Sequence, residues 1–102
     1  MKEVKHYING QYVGSASGRM FDNINPATGE VISQVHEAGE AEVDAAVKAA
    51  RAALKGPWSK MTIDQRSKIL HAVADGINAR FDEFLEAECA DTGKPKSLAS
   101  HI

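Results

Sequence analysis

Apolar and polar positions change rhythm twice along the chain, and each change predicts a change of secondary structure. In His6-Tyr7-Ile8-Asn9-Gly10-Gln11-Tyr12-Val13, two β-favouring runs flank Asn-Gly. That pair best tolerates the two positive φ angles of a type I′ turn, so the stretch reads as a hairpin. Gly14-Ser-Ala-Ser-Gly18 follows as a loop. A second pair of strands is expected around Asn25–Glu30, with Phe21 and Ile24 before it and Val31, Ile32 and Val35 after it. Pro26 fixes its own φ and pushes Asn25 towards an extended conformation, whereas Gly29 takes positive φ without steric cost. Asn25 and Thr28 carry short polar side chains that bond local backbone, which makes this a tight turn. Two strands folded back here bring several backbone carbonyls together where they meet.

After Val35, His36-Glu37-Ala38-Gly39 breaks the alternation and the period becomes helical. Val43, Ala46, Val47, Ala50 and Leu54 form one apolar stripe. Glu40, Glu42 and Asp44 crowd the first turn, with Lys48, Arg51 and Lys55 later, in keeping with the helix dipole; Asp44 and Lys48 form a favourable i,i+4 pair. Gly56-Pro57 stops the helix, and Trp58 in the connector is expected to anchor helix packing rather than stack a ligand. Thr62-Ile63-Asp64-Gln65 has capping-box spacing. Ile69, Leu70, Val73 and Ile77 continue as a stripe into Phe81, Phe84 and Leu85, with a break expected between about Gly76 and Asp82. Gly93 suits the C′ position and Pro95 forbids continuation. Ser97 then reads as the N-cap of a new helix, with Leu98 and Ile102 spaced i,i+4 and the chain stopping one turn in. A helix that short is not stable alone, which suggests a truncated piece of a longer protein.

The expected fold class is therefore an α+β fragment: β-hairpins over 1–37, three or so helices over 38–96, and the start of a truncated helix over 97–102. Composition changes this picture in one respect. Of 44 hydrophobic residues among 102, 16 are Ala, and Val, Ile, Leu and Phe together number 21. Such a set lines close-packed helix faces but leaves little bulk for a self-sufficient core. A net charge of −2 gives no electrostatic case for nucleic acid or an anionic membrane. No stretch approaches the roughly 18 apolar residues of a membrane span, and the start lacks the apolar run of a signal peptide. With one Cys and no internal disulfide, a cytoplasmic location is the default.

Candidate chemistry is sparse. Cys89, the single thiol, lies near a helix end between Glu88 and Asp91, away from the base, cation or helix N-terminus that a nucleophilic thiolate uses, and reads as structural. His6, His36, His71 and His101 are scattered without zinc spacing. His71 and Asp75 are i,i+4, either a dyad or, with no Ser or Cys beside them, a helix-surface pair. Lys48, Arg51 and Lys55 read as a solvated face rather than an anion site. The glycines of the first loop lack the G-x-G-x-x-G spacing of a phosphate cradle. On residues alone, no catalytic constellation and no cofactor-binding residue is visible.

Four motifs in register nevertheless carry a resemblance. Tyr7-Ile-Asn-Gly10, Ile24-Asn-Pro-Ala-Thr-Gly-Glu-Val-Ile32, Gly56-Pro-Trp58 and Asp91-Thr-Gly-Lys-Pro95, in this order and spacing, resemble the N-terminal segment of the NAD(P)-dependent aldehyde dehydrogenases. The resemblance covers essentially the whole chain, and the run from Phe81 to Ile102 looks particularly like the bacterial semialdehyde dehydrogenases of aromatic meta-cleavage. It implies an N-terminal part of an α/β dinucleotide-binding domain in an enzyme that oxidises an aldehyde to the acid. In that family a Cys thiolate attacks the carbonyl, hydride passes to NAD, and a Glu-activated water hydrolyses the thioester. The Cys, the Glu, an oxyanion-stabilising Asn and the dinucleotide contacts all lie in later parts of the family's chain. Cys89 does not match the nucleophile's motif. The implied partners are the remainder of the chain and, at full length, further copies in a homo-oligomer. The resemblance also implies a monovalent cation, Na⁺ or K⁺, at the positions matching Asn23, Ile24 and Asp91, where backbone carbonyls and one carboxylate offer hard oxygens. A local capping role for Asp91 without an ion is the alternative there. For the chain as a whole, the alternative is a free-standing, non-enzymatic interaction module.

Overall fold

The computed structural model describes residues 2–101, and they fall into two units: residues 2–23 with Ile32–Lys60, and Ile24–Val31 with residues 61–101. The first unit opens with β1 (Lys2–Val4), then β2 (His6–Ile8) and β3 (Gln11–Val13). The predicted hairpin is β2 and β3, antiparallel with Tyr7 opposite Tyr12. Asn9 and Gly10 take φ of 53° and 78°, as a type I′ turn requires. The two tyrosine rings meet across the strands with centroids 5.0 Å apart, a cross-strand pair of the kind that stabilises hairpins.

β4 (Met20–Ile24) and β5 (Val31–His36) are the second predicted strand pair. At one end the Glu37 N–H donates to the Arg19 carbonyl at 2.9 Å, and the Gln34 amide donates to the Asp22 carboxylate. At the other, the Asn25 N–H donates to the Glu30 carbonyl at 2.9 Å. The sheet is not a hairpin alone. Its order is β1-β5-β4, with β1 parallel to β5 and Val4 opposite Val35. Lys2-Glu3-Val4 carries no alternating pattern; this edge strand is fixed by main-chain bonds to β5, which leave no trace in its own side chains.

α1 (Glu40–Ala53) begins after Gly39 and ends at Leu54, ahead of Gly56-Pro57. The Asp44–Lys48 pair forms at 3.0 Å on its exposed face. A 3₁₀ turn, Pro57–Lys60, carries Trp58 beside α1.

In the second unit Thr62 caps α2 (Ile63–Ala79) reciprocally with Gln65. The Gln65 N–H donates to Thr62 Oγ1 at 3.2 Å, and the Thr62 N–H donates to Gln65 Oε1 at 2.9 Å. Gly76 lies inside α2 without breaking it. The break falls within the expected window at Arg80 (φ −117°, ψ 29°), whose guanidinium makes a two-pronged pair with Glu83 at 2.8 and 3.0 Å. α3 (Phe81–Thr92) ends on Gly93 in the left-handed region, its N–H donating to the Cys89 carbonyl at 2.9 Å. α4 (Lys96–Ala99) corrects one expectation: its N-cap is Pro95, not Ser97. Pro95 is extended, and its carbonyl accepts the Leu98 and Ala99 N–H groups at 3.0 Å each. Ile102, expected to pair with Leu98, lies outside the described residues.

Little of the apolar surface is covered. Ala99, 1% exposed, is the buried apolar residue among those described, whereas Leu54 is 72% exposed and Ile63 84%. Compact folding of 11.0 kDa would leave about 5,600 Å² accessible, and even two separate compact bodies of half that mass only about 6,800 Å². The chain exposes 8050 Å². The helices are therefore well formed locally yet keep their apolar stripes open.

Candidate functional site

The tight turn after β4 is where two of the four motifs meet. Asn25 Oδ1 accepts the Ala27 N–H at 2.9 Å and Thr28 Oγ1 accepts the Glu30 N–H at 3.2 Å. The Gly29 N–H donates to the Asn25 carbonyl at 2.8 Å, with Gly29 at φ 77°. Against this turn stands Gly93, where a Cβ would come within 2.9 Å of Pro26 Cγ. The Asn-Pro turn and the Thr-Gly-Lys-Pro motif thus interlock at a point where only glycine fits, both by its φ of 76° and by space.

The three residues matched to a cation are placed as follows. Asn23 is half-buried within β4, Ile24 ends that strand, and Asp91 sits exposed in the last turn of α3, two residues before Gly93. Ile24 and Asp91 belong to the same unit, in which Pro26 and Gly93 touch. Among the described residues no group of three or more His, Cys, Asp or Glu side chains is arranged to hold a metal ion.

Cys89 is half-buried in α3, and no histidine lies beside it in sequence. His71 and Asp75 both stand on exposed positions of α2. No catalytic pair is assembled among these residues.

Sequence reasoning missed a buried polar cluster in the first unit. Glu42, expected only to favour the helix dipole, is 8% exposed. Its Oε2 accepts the Gly39 N–H at 3.1 Å, and its Oε1 accepts the Ala16 N–H at 2.5 Å from the loop before β4. The Ala16 N–H foremost, with its own amide, the Gly39 amide and the Ser15 hydroxyl adding, holds its carboxyl below the usual range against the opposing effect of burial. His36 Nδ1 accepts the adjacent Ser15 N–H at 3.0 Å. Gly39-x-x-Glu42 does have the spacing of a capping glutamate, the one sequence signal that pointed here.

The order of strands and helices and the interlocked motifs define an α+β segment. The aldehyde dehydrogenase family model matches residues 12–101, and the chain belongs to that family. It is 76% identical over 102 residues to the 2-hydroxymuconic semialdehyde dehydrogenase of Pseudomonas sp. (strain CF600), covering all of this chain and 21% of that protein. It is 72% identical over 87 residues to the enzyme of the same name from Pseudomonas putida, covering 85% of this chain and 18% of the relative. Among solved structures, the NAD⁺ complex of aldehyde dehydrogenase from Bacillus cereus superposes with a TM-score of 0.91 at 42% identity, over 96% of this chain and 20% of that one. The chain thus spans about a fifth of the length of the curated relatives it matches.

Proposed function

We propose that the protein carrying this chain is an NAD-dependent dehydrogenase that oxidises 2-hydroxymuconic semialdehyde, or a close semialdehyde, to the carboxylic acid in the breakdown of aromatic compounds. The observation that carries this reading is the 76% identity maintained from end to end with the Pseudomonas relative. In the reaction an aldehyde, NAD⁺ and water give the acid, NADH and a proton; NAD supplies the hydride acceptor. None of the residues described here performs that chemistry. Their role is to frame it: the open stripes of α1 and α2 are faces for the remainder of the chain, and the excess accessible area supports that assignment. A cytoplasmic location and a homo-oligomeric full-length protein belong to the same reading. So does a Na⁺ or K⁺ ion on the carbonyls of Asn23 and Ile24 and the carboxylate of Asp91, which crystals soaked in Rb⁺ or Tl⁺ would reveal as an anomalous peak.

The experiment is NADH formation by the full-length protein with 2-hydroxymuconic semialdehyde against simple aliphatic aldehydes. The expected result is a kcat/KM for the semialdehyde at least about tenfold higher. Equal or lower kcat/KM for the semialdehyde would overturn the substrate, and no NADH from any aldehyde would overturn the activity.

A further inference from the structure

The loop between Gly14 and Gly18 is held by two side chains from different elements, an imidazole and a carboxylate. His36, at the end of β5, presents Nδ1 to the Ser15 N–H at 3.0 Å. A backbone N–H can only donate, so Nδ1 is the unprotonated nitrogen and the ring is neutral with its proton on Nε2. The ring lies so close to the loop that a Cβ at position 14 would stand 3.1 Å from Cε1 and 3.3 Å from Nδ1. One residue further, the Ala16 N–H is taken by the Glu42 carboxylate from α1.

Titratable groups face the imidazole from the neighbouring strands. Glu3 of β1 has Oε2 3.8 Å from Nε2, outside hydrogen-bond reach. His6 of β2 stands edge-on, with ring centroids 6.4 Å apart. Nε2 of His36 and Nε2 of His6 are both buried without a hydrogen-bond partner. Glu42 is engaged with the backbone amides of Ala16 and Gly39.

We propose that this arrangement is a proton-released latch on the loop: a proton taken from solvent onto His36 Nδ1 sets two N–H donors against each other and frees Ser15, while Glu42 keeps hold of Ala16. No bond other than the new N–H forms. Glu3 stands where a small side-chain movement lets it accept the Nε2–H of the imidazolium, so the charged ring has an acceptor to turn to when it lets go of the loop. Both holds need the deprotonated form, a neutral His36 and an ionised Glu42, so added acid releases the loop from each of them.

The test is residue-resolved amide hydrogen exchange on the full-length protein, corrected for intrinsic rates, between about pH 8 and pH 5, where imidazole changes charge. Protection of Ser15 should fall about tenfold relative to Ala16 across that range. His36→Asn places an amide oxygen near the position of Nδ1 and does not titrate, so in that variant the ratio of Ser15 to Ala16 protection should stay constant. Should that variant fail to fold, the ratio in the unaltered protein still decides. Constant relative protection in the unaltered protein, or an unchanged fall in His36→Asn, would overturn the proposal.

Discussion

Gly93 is the residue at which two motifs distant in the chain become one structural feature. It needs the left-handed backbone, and its missing side chain leaves room for Pro26, with a Cβ at 2.9 Å otherwise. Gly93→Ala should therefore destabilise the protein by about 2 kcal/mol or more, the left-handed penalty plus the contact with the proline ring. A drop in thermal midpoint and increased hydrogen exchange at 25–30 would register it; an unchanged midpoint would contradict it. Glu42 makes a prediction in pH. Its folded pKa lies below the ordinary carboxylate value because the Ala16 N–H, above all, favours the ionised form. Its contribution is thus present above the unfolded Glu value of about 4.3 and is lost as pH falls through the lower folded one. Glu42→Gln should lower the melting temperature at neutral pH, and the gap from the unaltered protein should close in acid. A gap that persists undiminished in acid would show that the ionised carboxylate is not what matters. Neither role was fully visible in the sequence. The C′ glycine was legible because its signal is local, whereas the contact with Pro26 and the reach of Glu42 to Ala16 join residues far apart in the chain.

At the scale of elements, local chemistry decided most of the outcome. The Asn-Gly turn, the Asn-Pro turn, the Thr62 box and the break near Arg80 all rest on interactions within a few residues, and all stand where the sequence places them. Thr62→Ala removes the acceptor for the Gln65 N–H and should cost about 1 kcal/mol. Faster exchange of the amides in the first turn of α2 checks this, and unaltered exchange there would argue against it. Two elements escaped. β1 has three residues and no pattern of its own, and its pairing with β5 depends on a partner about thirty residues away. The N-cap of α4 is Pro95, which has no side-chain cap to offer, and Ser97 falls inside the helix because the extended backbone that precedes a helix ends at the proline. The proposed cation positions Asn23, Ile24 and Asp91 rest on resemblance alone, since backbone carbonyls, the main donors proposed there, carry no side-chain signature.

For the whole molecule, the telling quantity is surface. An accessible area of 8050 Å² exceeds what two independent compact bodies of this total mass would show, about 6,800 Å². The Ala-rich composition foreshadowed this: helix faces of small residues pack closely but bury little on their own. The 102-residue chain by itself should accordingly unfold over a broad temperature range or self-associate, as seen by calorimetry and sedimentation; a sharp two-state transition of a monomer would contradict this. Under the proposed function these residues frame a dehydrogenase without performing its chemistry, and this is the central claim. Cys89, the only thiol in the chain, is where that claim is most exposed. The decisive measurement is steady-state NADH formation by the full-length protein carrying Cys89→Ala. The account predicts kcat within about twofold of the unaltered enzyme, and a folded variant slowed by about a hundredfold or more would contradict it.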